Sequence, residues 1–216
     1  MFIPLNTLKT TYNMNIKGII HVGAHHAEEK ESYNQCGVEN VVWIEGNDDL
    51  IPIIQEKLNN FNSNDQILNY LISDTNNEEV KFHITNNTQS SSILDFGKHK
   101  QYYPGIDFVK SVTKHTKTLK NIIDIHNINM CNYNMVNLDL QGVELRALKG
   151  LGEYINHIDY IYTEVNNDVI YQNNDLIVDI DIYLAQYNFK RVETVMLSEQ
   201  WGDAFYLKIP QCQTIK

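Results

Sequence analysis

The sequence holds several groups of residues whose types and spacing suit ligand chemistry. The first is Gly18-Ile19-Ile20-His21-Val22-Gly23-Ala24-His25-His26-Ala27-Glu28, followed by Val41-Val42-Trp43-Ile44-Glu45-Gly46-Asn47. An acid at the end of a second apolar run, about 20 residues beyond a small-residue turn, is placed to accept hydrogen bonds from ribose hydroxyls. The turn lacks the second and third glycines of G-x-G-x-x-G; His25 and His26 fill it, and Ala27 follows. A pyrophosphate needs that glycine-lined approach. An adenosine without phosphates does not, and S-adenosylmethionine is such a ligand. One imidazole of the pair would then lie near its methionine or carboxylate portion. Neither an i,i+4 histidine spacing nor a cysteine partner supports zinc at His21, His25 and His26.

The second group is a pair of acids, Asp139 and Glu164, each closing an apolar run. A carboxylate beside an acceptor hydroxyl can take its proton, or hold a divalent cation that lowers the hydroxyl pKa. These two are the candidate catalytic residues, and magnesium is left undecided between the two routes. The bland alternative is that Asp139 caps the next helix and Glu164 holds a loop. The remaining histidines, His83, His99, His115 and His126, have no evident partners, and a surface or helper role is their default reading.

Elements must bring these groups together. Residues 17–24, 41–45, 66–72, 80–85, 135–140 and 158–165 read as strands, alternating with helices over 27–36, 49–59, 119–128, 143–151 and 176–187. Two consecutive strands, 189–196 and 203–209, close the chain as a hairpin. Strands alternating with helices imply a parallel sheet. The expected fold is therefore α/β, a doubly wound Rossmann-like seven-stranded sheet with a C-terminal antiparallel hairpin, in one domain over 1–216. Such sheets bind ligands beyond the carboxyl ends of their strands. That gathers His21, Gly23, Ala24, His25 and Glu28, then Glu45 and Asn47, Ser73 and Asp74, Asp139 to Gly142, and Glu164 to Asn166. The segment 86–118 shows little regular period and reads as a lid. Ser91, Ser92, Tyr102 and Tyr103 within it, with Gln141 and Asn166, are the candidate acceptor contacts. Hydroxyls pair with serines and sugar faces stack on aromatic rings.

Composition narrows the function classes. The chain has 216 residues, 43% hydrophobic and 20% charged, as expected of a folded globular protein. A net charge of −10 argues against a general nucleic-acid binder, which neutralises phosphates with Lys and Arg. Cys36, Cys131 and Cys212 form no C-x-x-C and suit a reducing compartment. No signal peptide or run of ~20 apolar residues is apparent, so a soluble, cytoplasmic protein without membrane association is expected.

Read together, these motifs resemble the FkbM-type methyltransferases. Ile20 to Glu28 resembles their D/H-V-G-A-x-x-G-E opening, with Trp43-Ile44-Glu45-Gly46-Asn47 as the acid and Asn after the second strand. Ser90-Ser91-Ser92 looks like their serine cluster, Asn137 to Glu144 their I-D-V-E-G-x-E block, and Tyr162 to Asn166 their E-V strand. The similarity runs from about residue 17 to 209. It implies the class I methyltransferase fold, S-adenosylmethionine as donor, and O-methylation of a small acceptor such as a sugar, nucleotide sugar or glycoside. It implies Gly23 and Glu28 at the methionine end, Glu45 at the ribose, Asp74 by the adenine and Asp139 facing the acceptor. Ala27 stands where the family has glycine, and Gln141 where it often has Glu. A nicotinamide-dependent oxidoreductase and a non-catalytic relative stay open as alternatives, as does a homo-oligomer.

Overall fold

The computed structural model describes residues 1–61 and 64–210; Cys212 lies outside them. The strands are β1 (Ile19–Val22), β2 (Val41–Glu45), β3 (Gln66–Asn69), β4 (Leu71–Ile72), β5 (Glu79–Thr85), β6 (Phe108–Lys117), β7 (Met135–Leu138), β8 (Tyr160–Asn166), β9 (Phe189–Met196) and β10 (Trp201–Lys208). The helices are α1 (Leu5–Thr11), α2 (Lys30–Gln35), α3 (Ile51–Leu58), α4 (His99–Tyr102), α5 (Leu119–Ile125), α6 (Glu144–Gly150) and α7 (Ile177–Ala185). Seven strands form one sheet in the order β3-β2-β1-β7-β8-β10-β9. β10 runs antiparallel to both neighbours and the other pairings are parallel. This is the expected doubly wound sheet with its closing hairpin.

Every residue of β1, β2 and β7 is buried, which is why these strands read as unbroken apolar runs. A parallel sheet covered on both faces requires that. One core, with Ile20, Val22, Ile44, Val136 and Leu138, packs against α5, α6 and α7. The other, with Ile19, Val41, Trp43 and Met135, packs against α1, α2 and α3. Strand order reverses between β1 and β7, so their carboxyl ends open a crevice.

Two expectations are corrected. The run 66–72 is not one strand. Tyr70 N donates to Glu45 O at 3.1 Å and ends the pairing of β3 with β2. The chain then leaves the main sheet, and β4 joins a second, three-stranded sheet in the order β4-β6-β5. Leu71 packs there with Phe82 and Ile84. The segment 86–118 is also more regular than expected, since it contains α4 and the ten-residue β6 paired antiparallel with β5. Half of β6 is solvent-exposed and only one of its residues is buried, so polar residues fill it and no apolar period marks it.

Candidate active site

At the crevice the turn after β1 is set by close backbone packing. Gly23 N and Ala24 N donate to Ile44 O at 2.9 and 3.1 Å, and Asp139 N donates to Val22 O at 3.0 Å. Gly23 has φ +83°, and a Cβ there would lie 1.8 Å from Asp139 O. Only glycine fits. Ala27 has φ +49°, a left-handed backbone that favours glycine.

A cavity of about 470 Å³ opens above these strand ends, within the ~300–1,000 Å³ range of small-molecule pockets. Of the residues singled out from sequence, His21, Gly23, His25, Glu28, Glu45, Ser91, Ser92, Tyr103, Asp139, Gln141, Glu164 and Asn166 line it. Ala24, Asn47, Ser73, Asp74 and Tyr102 do not. Ser73 and Asp74 follow β4 into the second sheet, where the Ser73 hydroxyl donates to Asp74 at 3.2 Å. Asn47 instead caps the turn that follows β2, accepting from Asp49 N at 3.1 Å. Tyr102 points away and donates to Asp168 at 3.0 Å.

At one end of the cavity, buried Glu45 accepts from His25 N at 2.8 Å and Asn47 N at 2.7 Å. Burial pushes its carboxyl up, and these backbone donors oppose the shift. Ile44, Leu50, Leu71, Ile72 and Phe82 make the wall beside it apolar. The His25 ring lies 2.6 Å from Glu28 Oε1 through Nδ1 and 2.7 Å from the Thr88 hydroxyl through Nε2. Burial would raise the Glu28 carboxyl, but the His25 partner and backbone N–H groups outweigh it and hold it at about 2. His25, His26 and Glu28 are the one group of metal-type ligands among the described residues, with ligand atoms within 4.8 Å of one another. Both ring nitrogens of His25 are already engaged there. His21 is packed into the core, stacked on Trp43 with its Nδ1 3.0 Å from the Tyr33 hydroxyl, and burial lowers its pKa.

Asp139 and Glu164 face each other across Gln141. Gln141 Nε2 donates at 2.7 Å to both Asp139 Oδ1 and Glu164 Oε2. The Tyr171 hydroxyl, 2.9 Å from Gln141 Oε1 and 3.1 Å from Ser90 O, fixes that amide. Asp139 is open to the cavity yet enclosed by its walls. That enclosure, with the carboxylates of Asp203 and Glu29, pushes its carboxyl to about 6. Burial, then Asp139, Glu144 and Asp203, push Glu164 well above the usual range. Glu144 has a different task. It accepts from Leu140 N at 2.8 Å and from Gly142 N at 3.1 Å, clamping the loop in which Gln141 and Gly142 have φ of +54° and +104°. The serines are used locally, as Ser91 donates to Thr88 O at 2.6 Å and Ser92 to Gln141 O at 2.9 Å. Ser92 thereby stitches the covering segment to the Asp139 loop.

Sequence reasoning missed His99, Tyr171, Trp201 and Asp203, which also line the cavity. His99 is no surface residue. It is 3% exposed and stacked 4.2 Å from Phe96, and burial lowers its pKa to about 4. His83 is buried as well, with Nδ1 2.8 Å from the Ser111 hydroxyl. The one available signal for His99 was its place among Phe96, Tyr102 and Tyr103.

Comparison with known proteins follows this geometry. Residues 21–191 match a family model described as the methyltransferase FkbM domain. No curated protein matches the chain. Among solved structures, a putative RNA methyltransferase from Pyrococcus horikoshii is similar at 10% identity, with 97% of this chain and 81% of that one covered and a TM-score of 0.50. Magnesium protoporphyrin IX methyltransferase from Synechocystis PCC 6803, with bound S-adenosylmethionine, is similar at 10% identity, 95% and 76% coverage and a TM-score of 0.51. A putative tRNA (m1A22) methyltransferase from Streptococcus pneumoniae, in complex with S-adenosyl-L-methionine, matches at 10% identity, 94% and 71% coverage and a TM-score of 0.51. At such identities the likeness is one of fold. No helix among the described residues is long and apolar enough to cross a membrane.

Proposed function

The chain belongs to the FkbM methyltransferase family, and from that premise we propose that it transfers a methyl group from S-adenosylmethionine to a hydroxyl of a small polyhydroxylated acceptor. The observation that carries the reading is one cavity with two differently built ends, a clamped Glu45 beside an apolar wall and the Asp139–Gln141–Glu164 bridge. Solved methyltransferases of this fold hold S-adenosylmethionine, and the residues here suit it. Glu45 has lone pairs left for ribose hydroxyls, the apolar wall suits an adenine, and no Lys or Arg among the described residues lines the cavity to call for a phosphate.

When bound, the donor supplies an electrophilic methyl group on a sulfonium. The protein's part is to place an acceptor oxygen in line and relieve it of its proton, with much of the rate coming from positioning. Asp139 is the residue for that proton. At about 6 its carboxyl is mostly ionised near neutral pH, yet more basic than an ordinary aspartate. Glu164, pushed well above the usual range by burial and its acidic neighbours, resists ionising alongside Asp139. Gln141 holds the two carboxyls at fixed separation, so the base is oriented before the acceptor arrives.

The test is calorimetric titration with S-adenosylhomocysteine and with NAD, followed by transfer of labelled methyl to neutral polyols. Binding of S-adenosylhomocysteine but not NAD is expected, with label recovered as an alkali-stable ether. Tight NAD binding with none for S-adenosylhomocysteine refutes the reading.

A further inference from the structure

Beyond the acid bridge the cavity continues into a wall of linked side chains. Tyr171 touches Gln141 through its hydroxyl, and its ring lies 5.3 Å from that of His99. The His99 ring lies 5.2 Å from Tyr103, whose hydroxyl accepts from Trp201 Nε1 at 2.5 Å. Trp201 is the cross-strand partner of Asn166. Two polar atoms in this wall are buried without a partner, Nδ2 of Asn166, which is 1% exposed, and Nδ1 of His99, which is 3% exposed. Buried polar groups are rarely left unpaired, because each costs its full desolvation. Both belong to residues that line the cavity; neither atom is itself open to it, so a ligand becomes their partner where it presses into this wall.

The same cavity is predominantly acidic, and the Met1 ammonium that lines it is paired with Glu29 at 3.1 Å. Glu28, Glu29, Glu45, Asp139, Glu164 and Asp203 line it, and no Lys or Arg among the described residues does. Proteins that recognise phosphate or carboxylate place Arg or Lys against it. We propose that this wall is an acceptor subsite for an uncharged or amine-bearing polyol of about hexose size, with Asn166 donating to an acceptor oxygen, and that it excludes phosphorylated forms. The subsite deepens the acceptor reading above and rests on it. It narrows the acceptor away from nucleotide sugars, whose diphosphate would meet six acidic side chains and a single ammonium, that of Met1, already paired with Glu29. The aromatic rings supply faces for the C–H side of a pyranose. The unbridged oxygens of Asp139 and Glu164 accept from its hydroxyls or from an ammonium.

The experiment is ligand-observed saturation-transfer NMR on protein saturated with S-adenosylhomocysteine, using glucose, glucosamine and glucose 6-phosphate at equal concentration. Glucose and glucosamine should receive saturation, and glucose 6-phosphate at least tenfold less. Asn166→Ala removes no protein hydrogen bond of its Nδ2 group. It should cut the sugar signals at least fivefold while S-adenosylhomocysteine affinity stays within twofold. His99→Phe, which keeps the ring stack, should do the same. Equal or stronger signal from glucose 6-phosphate overturns the proposal, as does silence from both other sugars while S-adenosylhomocysteine binds. Failure to bind S-adenosylhomocysteine at all would instead overturn the donor reading beneath it.

Discussion

Glu45→Gln separates what this acid does for the fold from what it does for the donor. The carboxylate takes one backbone N–H on each oxygen, from His25 at 2.8 Å and Asn47 at 2.7 Å. A glutamine offers one acceptor oxygen, so one of these N–H groups must face an NH₂. Leaving a buried donor unpaired costs about 1–3 kcal/mol. For a chain of this size each kcal/mol shifts Tm by roughly 2–4 °C, so the ligand-free variant should melt about 2–12 °C lower. Losing charge-assisted bonds to ribose hydroxyls removes about 1.5–3 kcal/mol more from donor binding, roughly a 10- to 150-fold rise in Kd for S-adenosylhomocysteine. Thermal denaturation without ligand reads the first effect and calorimetric titration the second. A lower Tm with unchanged Kd would make Glu45 a turn clamp only, refuting its assignment to the ribose. Unchanged values for both would refute the geometry itself.

Asp139→Asn should lower methyl transfer by roughly 10²-fold or more while S-adenosylhomocysteine affinity stays near that of the wild type, since general-base help is typically of that size; full turnover in a labelled-methyl assay would leave Asp139 without a catalytic role. Asp65→Ala should destabilise the fold by about 3–5 kcal/mol in a denaturant titration, because it strands the fully buried Lys30 ammonium, now 2.8 Å from Asp65 Oδ2. The raised carboxyls give a pH dependence with a definite sign. Above ~6.5 the lowered His21 and His99 are neutral in the folded and unfolded chain alike, and there the raised carboxyls, about 8 for Glu144, make the folded state bind more protons, so stability of the ligand-free protein falls as pH rises from ~6.5 to ~8. Melting curves across pH 6.5–8 check this, and Glu164→Gln should flatten them; a Tm that rises with pH in that window contradicts the acid bridge.

The order of the main sheet was legible because its strands are buried on both faces and so announce themselves as apolar runs. β2, expected over 41–45, is observed as Val41–Glu45. β6 was not legible, because a strand lying on the surface needs no apolar face, and Phe108–Lys117 has a single buried residue. Ser73 and Asp74 failed for a related reason. Periodicity runs on through Tyr70, but the hydrogen bond from Tyr70 N to Glu45 O ends the ladder, and no residue type marks that event. At the site, Glu45 and Asp139 were visible as acids after apolar runs. His99, Tyr171 and Trp201 arrive from α4, a loop and β10, and only the folded chain makes them neighbours.

The Asp139 loop is where the two ends of the cavity meet, and its construction keeps them separable. Its backbone touches the donor end through Gly23, where any side chain would strike Asp139 O. Its side chains serve the acceptor end through Gln141, and Glu144 clamps the backbone between from below. A change to the Gln141 amide therefore alters charge and hydrogen bonding at the acceptor without moving the turn that holds Glu45. Gln141→Glu puts a third carboxyl within hydrogen-bond reach of two others that already resist ionisation together. The cluster must then take up a proton or a cation to relieve the repulsion. Magnesium should raise the Tm of this variant while leaving the wild type nearly unchanged, and donor affinity should stay within a few-fold in both. Equal magnesium response in both proteins would mean that the Gln141 amide does not occupy the place of a cation.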